Sequence, residues 1–331
     1  MHEEETLQPE NHSTVQHNLM EMQNINNSQV TFFTLLQLWG SPVGQMSFSV
    51  SFSVIYVLTL SGNLIIIIVC RVEKSLCTPM YFFLSHLAAL EICYISVTVP
   101  KMIHYSVSGD VTISFAACLT QLYFFGSLGS TECFLLAVMA YDRYLALCKP
   151  LHYHSLMTSQ FCSRSVGCCW SFGFIFTMSS VLLISSLKFC GSNHIQHLFC
   201  DISPILRLSC TDIRHTETLI FLLASFTLVG SCLITLLSYL KILSTVLGIS
   251  TQSGRGRASA TFASHLTVVT IYYSTMIFVY VRPTTANASS LNQILSMLYT
   301  ILTPLLNPFI YALRNKEVQR ALWKLKSRLK L

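Results

Sequence analysis

The sequence predicts an all-α membrane protein: a bundle of seven transmembrane helices with a short amphipathic helix at its C-terminal end. The first observation is composition, because 52% of the residues are hydrophobic, only 10% are charged and the mean hydropathy is +0.57. A soluble domain usually carries about 25% charged residues. The second is a series of long apolar segments. The third is that none of them alternates polar and apolar residues as a barrel strand does, so helices are predicted.

Seven segments have roughly the 20 residues that a helix needs to cross the hydrocarbon of a bilayer. No repeat and no Gly/Ser-rich linker separates them, which predicts one domain over residues 47–313. A polar tail, residues 1–46, precedes this domain, and a basic tail, residues 314–331, follows it. The predicted spans are 47–70, 79–100, 118–141, 166–187, 217–240, 261–281 and 291–313.

The distribution of Lys and Arg predicts the orientation in the cell membrane. With the N-terminus outside and the C-terminus in the cytoplasm, most of the 20 basic residues fall on the cytoplasmic side, as the positive-inside rule requires. The N-terminal tail has no Lys or Arg, unlike a cleaved signal peptide, and its polar composition predicts disorder. Sequons at Asn11 and Asn26 predict that this tail is extracellular and glycosylated.

The C-terminal tail predicts contact with membrane lipid. It is basic, and Val318, Leu322 and Leu325 recur on one side of a helix. Such a helix lies on anionic lipid at the cytoplasmic surface. Because the tail directly follows a predicted span, its positive charge argues against nucleic acid as a partner.

Four of the 13 cysteines, Cys118, Cys190, Cys200 and Cys210, fall on the outer side, where disulfides can form. A bond from Cys118 to the loop 188–216 would fold this loop over the bundle as a lid. Four cysteines allow three pairings, and the sequence by itself does not choose among them. The remaining cysteines are expected to stay reduced.

Six motifs occur in order along the chain: "GNLIIIIV", "TPMYFFLSHLAALEICYISVTVPKM", "MAYDRYLALCKPLHY", "SYLKIL", "ASHLTVV" and "PLLNPFIYALRNKEV". In this order they resemble the olfactory receptor family of rhodopsin-like G-protein-coupled receptors, from residue 26 to about residue 322. The resemblance implies odorant binding on the outer side and coupling to a stimulatory olfactory G protein inside. It also implies the disulfides Cys118–Cys200 and Cys190–Cys210. Translation from Met20 or Met22 would give a tail of ordinary length for the family.

The motif residues define an expected coupling site at the cytoplasmic end. The resemblance implies that Arg143 contacts the G protein after the sixth span swings away, and that Asp142 holds Arg143 at rest; we expect Arg143 to be exposed. Without the resemblance, an Asp-Arg pair is an anchor at the membrane edge. Pro308 predicts either a hinge or a simple kink. The expected coupling residues are Asp142, Arg143, Tyr144, Tyr239, Asn307, Pro308 and Tyr311.

Two acids lie in the middle of predicted spans, Glu91 in the second and Glu132 in the third. Two facing carboxylates cannot both stay ionised unless a cation or a proton sits between them. The resemblance places them with Asn63 and Asn307 in the sodium pocket of rhodopsin-like receptors, although Glu91 stands where Asp is usual. A bound sodium ion and a pair of protonated acids are the two alternatives.

The ligand site is expected outward of these acids, in a small apolar cavity with a few hydroxyl groups and no charge, as small neutral ligands prefer. No resident cofactor is expected. Ordinary core packing is the alternative for each position. The expected lining residues, partly from helical spacing and partly from the resemblance, are Phe125, Gly126, Gly129, Ser130, Ile202, Tyr273, Met276, Ile277, Tyr280 and Thr300.

Other functional classes fit less well. A retinal protein needs a Schiff-base lysine in the seventh span, and residues 291–313 contain none. A proton or cation channel or transporter could use Glu91 and Glu132, but it leaves the Asp-Arg-Tyr motif unexplained. No nucleophile–base or metalloenzyme motif occurs, so no enzyme is predicted. The loop residues His194, His197, Cys200 and Asp201 could bind copper or zinc, but the disulfide is the better use of Cys200.

Overall fold

The computed structural model describes residues 30–36, 41–190, 192–248, 265–277, 297, 300–310 and 315–328. Within these ranges, five helices are long and apolar enough to cross a membrane, and each contains most of one of the first five predicted spans. They are α1 (Pro42–Val72), α2 (Pro79–Ser108), α3 (Phe115–Cys148), α5 (Ser159–Ser185) and α7 (Arg214–Leu247).

The described parts of the last two predicted spans are also helical. Residues 265–277 form α8, and Thr300–Ile310 forms α9. The amphipathic helix expected in the C-terminal tail is α10 (Lys316–Arg328). Val318 of α10 is fully buried against the bundle, whereas Trp323 is exposed. Three short helical elements lie between the long helices: a 3₁₀ turn (Lys74–Leu76), α4 (Pro150–Leu156) and α6 (Ile202–Leu206).

The helices extend past the predicted spans. Hydropathy indicates only the part of a helix that lies in the hydrocarbon of the bilayer, whereas capping residues determine where the helix begins and ends. α1 begins at Pro42, five residues early, where Ser41 Oγ accepts a hydrogen bond from the Gly44 N–H at 3.2 Å and proline suits the first turn. α2 ends at Ser108 and is capped by Gly109, whose φ of 71° terminates a helix without strain. α3 continues to Cys148, so Asp142 and Arg143 lie inside the helix rather than at its end.

A three-stranded sheet covers the outer end of the bundle, and no pattern in the sequence predicts it. The strands are β1 (Phe32–Leu35), β2 (Thr112–Ser114) and β3 (His194–Ile195), in the order β2-β1-β3. β1 runs antiparallel to β2 and parallel to β3. The sheet corrects the expectation of a disordered tail over residues 30–36, because Phe33 is fully buried there against rings of Phe115 and Phe189.

α3 is the central helix, and α2, α5 and α7 pack around it. Small residues make the α3–α5 contact close. A Cβ atom added at Gly173 of α5 would stand 2.2 Å from Thr131 Oγ1 and 2.9 Å from the Ser127 carbonyl oxygen. α3 also contributes residues to both the outer cavity and the cytoplasmic site.

Candidate ligand cavity and coupling site

A cavity of about 250 Å³ lies beside α3, mainly between α3, α5 and α7. Its wall is largely apolar, and none of the described residues that line it is charged. This volume is slightly below the range of roughly 300–1,000 Å³ that holds drug-sized ligands, so it suits small molecules.

Six of the expected ligand residues line this cavity: Phe125, Gly126, Gly129, Ser130, Ile202 and Met276. Three others do not. Tyr273 instead donates its hydroxyl to the Cys133 carbonyl oxygen at 3.3 Å, Ile277 is largely exposed, and Thr300 is buried elsewhere. Tyr280 lies outside the described residues.

The walls on α5 and α7 were missed, because the sequence does not show which face of each helix meets α3. Thr177 and Ser180 of α5 line the cavity, and so do Phe221 and Thr227 of α7. Gly126 bounds it closely, since an added Cβ atom would stand 2.8 Å from Thr177 Cγ2. A helical-wheel projection of α5 and α7 would have pointed to their threonines and serines. It would not have shown that these residues line the same cavity.

Two disulfides hold the loop over the outer end of the bundle. Cys118 at the start of α3 is bonded to Cys200, with Cα atoms 5.5 Å apart, and Cys190 is bonded to Cys210 at 5.8 Å. These are the two pairings that the resemblance implied. The Cys200 N–H also donates to Gln121 Oε1 at 3.0 Å, which fixes the loop directly to α3.

The loop residues considered as metal ligands have other roles. His197 is buried, and its Nδ1 lies 3.2 Å from the Phe199 carbonyl oxygen. Burial lowers the pKa of His197, and Asp201 partly opposes this shift. Asp201 accepts the Ile202 N–H at 2.8 Å and so caps α6. Among the described residues, no three His, Cys, Asp or Glu side chains group as a metal site would require.

At the cytoplasmic end, Arg143 is buried and ion-paired with Asp142, which corrects the expectation that Arg143 is exposed. Its Nε donates to Asp142 Oδ2 at 3.0 Å. The other carboxylate oxygen accepts the Tyr153 hydroxyl of α4 at 2.8 Å. Burial raises the pKa of the Tyr153 phenol, and the adjacent Asp142 raises it further, so this hydroxyl remains a donor. Tyr144, expected in the same site, is half-buried beside it.

Tyr239 of α7, expected to support Arg143 in the active state, is buried and interacts electrostatically with Arg143. Its hydroxyl is hydrogen-bonded to Nδ1 of His265 on α8, and both side chains are buried. His265 was missed as a site residue, although a histidine inside the apolar "ASHLTVV" motif was a usable signal. This bond joins α7 to α8 close to Arg143.

Pro308 is buried inside α9, which remains helical through Ile310. A proline has no N–H, so the carbonyl four residues earlier, that of Pro304, loses its helical donor. Asn63 of α1 replaces this donor, with Nδ2 at 3.1 Å from the Pro304 oxygen. In the described residues, Asn63 is therefore a link between α1 and α9. Tyr311 lies outside the described residues.

The two mid-membrane acids meet, as expected, between α2 and α3. Glu91 and Glu132 are buried and close enough for their carboxyl groups to interact. Asn307 Nδ2 donates to Glu91 Oε1. Glu91 Oε2 and Glu132 Oε1 have no hydrogen-bond partner among the residues described. Carboxylate oxygens of this kind fit a hard cation such as sodium, and protonated acids would fit them equally well.

The fold first defines the class of the protein. It is similar to the crystal structure of squid rhodopsin, with a TM-score of 0.71 and 16% identity over 86% of this chain and 81% of that one. This likeness indicates a rhodopsin-like bundle of seven transmembrane helices.

The sequence comparisons then identify the family. The family model described as "Olfactory receptor" matches residues 52–328. Human olfactory receptor 6B1 is 49% identical over 91% of this chain and 96% of its own length. Rat olfactory receptor 226 is 49% identical over 81% of this chain and 83% of its own length. The chain belongs to the olfactory receptor family of rhodopsin-like G-protein-coupled receptors, which are signalling receptors and not enzymes.

Proposed function

We propose that this receptor binds small, mostly apolar odorants in the outer half of the bundle and activates a stimulatory olfactory heterotrimeric G protein, which raises cAMP. The cavity beside α3 carries this proposal, because the described residues of its wall are uncharged and mostly apolar, with only a few hydroxyl groups. Neutral odorants match such a wall, whereas a charged amine would lack a counter-ion there.

α3 connects the proposed ligand site with the proposed coupling site. Ser130 at the cavity and Arg143 at the cytoplasmic end are about 20 Å apart along the helix at 1.5 Å per residue. In the resting arrangement Arg143 is paired with Asp142 and buried. Coupling requires Arg143 to leave this pair and face the G protein, and movement of α8 away from α7 would break the Tyr239–His265 bond beside it.

The orientation belongs to the same proposal. The receptor lies in the cell membrane with residues 1–46 outside, glycosylated at Asn26 and Asn11, and with the basic tail 314–331 on cytoplasmic lipid. The excess of Lys and Arg on one side supports this arrangement. α10 presents Arg320 on its exposed surface, where it can meet anionic headgroups, and Lys324 is paired with Glu73 at 3.3 Å.

The polar layer between Glu91 and Glu132 holds positive charge, as a sodium ion or as protons. Removing these acids from water without compensation would cost several kcal/mol each. Asn307 satisfies one oxygen of Glu91 but cannot neutralise both acids.

The test is cAMP in cells that express this receptor with the olfactory G protein, screened against a panel of volatiles. Arg143→Ala should abolish the evoked cAMP per receptor at the surface, and surface delivery is measured in the same cells because the mutation also leaves the buried Asp142 carboxylate without its ion pair. Arg164→Ala removes an exposed cationic side chain near the cytoplasmic start of α5 and is the matched control. Normal signalling by surface-expressed Arg143→Ala would remove Arg143 from the mechanism. An evoked current without any G protein would instead favour a channel that uses Glu91 and Glu132.

A further inference from the structure

We propose that small uncharged molecules enter the cavity sideways from the bilayer, between α5 and α7, and that the rings of Phe176 and Phe226 close this entrance. The identity of the ligands as odorants rests on the proposed function. The route does not, because any small molecule that reaches the cavity can report it.

The cavity wall on α7 reaches the outside of the bundle. Phe221 and Val229 line the cavity and are also 56% and 51% exposed on the membrane-facing surface. Thr227 and Leu228 line it from the same helix and are buried. The cavity therefore continues from the packed interior past α7 to the surface that lipid covers.

One aromatic contact crosses the seam between the two helices at this point. The Phe176 ring of α5 and the Phe226 ring of α7 meet edge to face, with centroids 5.8 Å apart. Phe176 lines the cavity, and Phe226 is 65% exposed. A rotation of either ring about its side-chain torsions opens the seam without moving a helix.

The route to the cavity from the extracellular side is covered in the part of the chain that the structure describes. Phe199 and Cys200 of the loop are fully buried, and Cys200 is bonded to Cys118 of α3. The Cys200 N–H is bonded to Gln121 Oε1, and Gln121 Nε2 donates to the Val97 carbonyl oxygen at 3.1 Å. The loop is thus fixed to both α2 and α3. Opening it would break a covalent frame, whereas the α5–α7 seam requires only side-chain rotation.

This route selects ligands by chemistry. An apolar neutral molecule concentrates in the bilayer because burial of its surface is favourable. An ion does not enter hydrocarbon. The receptor would then sample the concentration of a ligand in the membrane, and activity should follow partitioning into lipid among molecules of similar shape.

A native thiol allows a test without a known odorant. Cys133 lines the cavity and is buried. The probes are methyl methanethiosulfonate, which is small and neutral, and its trimethylammonium-ethyl analogue, which is charged. Receptor in phospholipid vesicles is treated with each probe, and the modification rate of Cys133 is measured by mass spectrometry. Buried Cys162, near the cytoplasmic start of α5, reports general loosening.

Removing the ring contact by Phe226→Ala should raise the rate at Cys133 with the neutral probe roughly threefold to tenfold, the range expected for losing one aromatic pair. Ala224→Trp should slow it by a similar factor, because Ala224 lines the cavity at the exposed side of α7. Leu222→Ala is the control, since Leu222 is 57% exposed on the same helix but does not line the cavity.

The proposal also requires that the charged probe leaves Cys133 nearly unmodified. Equal rates for the two probes would indicate an aqueous route and overturn it. So would unchanged Cys133 rates in both Phe226→Ala and Ala224→Trp, or a parallel increase at Cys162. If the receptor shows the expected Cys133 modification rates but raises no cAMP with any volatile, the proposed entrance stands and the proposed function is wrong.

Discussion

Asp142 is buried, and its two carboxylate oxygens have different partners. Oδ2 accepts from Arg143, and Oδ1 accepts from Tyr153 on α4. A carboxylate fixed in this way presents one orientation to Arg143, so α4 stabilises the resting ion pair through Asp142. When Arg143 leaves, Asp142 stays buried with a single hydrogen bond, and this cost opposes activation.

Tyr153→Phe should therefore raise the basal activity. The lost bond to a charged acceptor is worth about 1.5–3 kcal/mol, part of which stabilises the resting state. We expect a severalfold increase in basal cAMP, normalised to surface receptor. Tyr141→Phe is the control, because Tyr141 is exposed on α3. If Tyr153→Phe leaves the basal level unchanged, or if the effect persists in an Asp142→Asn background, Tyr153 does not act through Asp142.

The Glu91–Glu132 pair supports a second prediction at this scale. Glu132→Gln keeps the shape of the side chain and its hydrogen bonding but removes the ionisable group. If sodium is held between the two acids, basal activity of the mutant should no longer respond when sodium is replaced by choline. An unchanged response to this replacement would favour two protonated acids.

Among the elements, the loop 188–216 and its sheet depend on the two disulfides. The Cys118–Cys200 bond spans 82 residues of chain, and the Cys190–Cys210 bond spans 20. A longer closed loop restricts the unfolded chain more, so the first bond should contribute more stability.

Cys118→Ser or Cys200→Ser should prevent surface delivery, since loss of a native disulfide costs about 2–5 kcal/mol. Cys190→Ser should be milder. Surface delivery is measured with an extracellular tag, and Cys168→Ser, which removes an exposed free thiol, is the control. A harmless Cys118→Ser beside a damaging Cys190→Ser would contradict this assignment.

His197 makes the stability of the loop depend on pH. Burial lowers its pKa in the folded receptor, while an unfolded histidine titrates near about 6.5. Below that pH the unfolded chain binds a proton that the folded loop rejects, so stability falls as the pH falls. The unfolding temperature of purified receptor is measured at pH 7.5 and at pH 5.5. The difference between the two temperatures should be smaller in His197→Gln than in the unmutated receptor. An equal difference in both proteins would assign the pH dependence to other groups.

Hydropathy predicted the long helices but not their ends or the sheet. α2 and α3 run past the hydrocarbon into polar sequence, where only capping residues such as Gly109 mark the end. The strands of the sheet are two to four residues long and come from three distant segments, so no local pattern indicates them.

The direction in which a site residue faces was predictable where its side chain has only one favourable environment. Glu91 and Glu132 had to face the interior, because an acid in lipid is costly. The cavity wall on α5 was not predictable, since Thr177 and Ser180 satisfy their hydroxyls within their own helix and could face either side. Arg143 was expected to be exposed because the resemblance has it face the G protein, and its burial was not predictable because it depends on the packing of separate helices.

For the whole molecule, the described structure begins at residue 30, and β1 connects the end of the N-terminal tail to the loop. Residues 1–19 lie outside it and are polar and acidic, so they should contribute little to folding. Deleting residues 1–19 should leave surface delivery and odorant response nearly unchanged. Asn26→Gln should reduce delivery, because that sequon lies within the part that matches the family.

Both forms would be compared with the full-length chain by surface labelling. Glycosidase treatment should show a mobility shift in the truncated form and a smaller one in Asn26→Gln than in the full-length receptor. Failure of the truncated form to reach the surface, beside normal delivery of Asn26→Gln, would reverse the two assignments.

The bond from Asn63 to the Pro304 carbonyl oxygen joins residues 241 positions apart, in the first and last of the predicted spans. During synthesis, Asn63 enters the membrane long before its acceptor is translated. Until then, one donor of its amide lacks this partner at a depth where water is scarce. A nascent chain that stops before α9 therefore keeps an Asn63 amide donor without this acceptor in its first helix. The quality-control machinery of the endoplasmic reticulum could recognise this donor. This hydrogen bond can form only after the receptor has been translated to its final span.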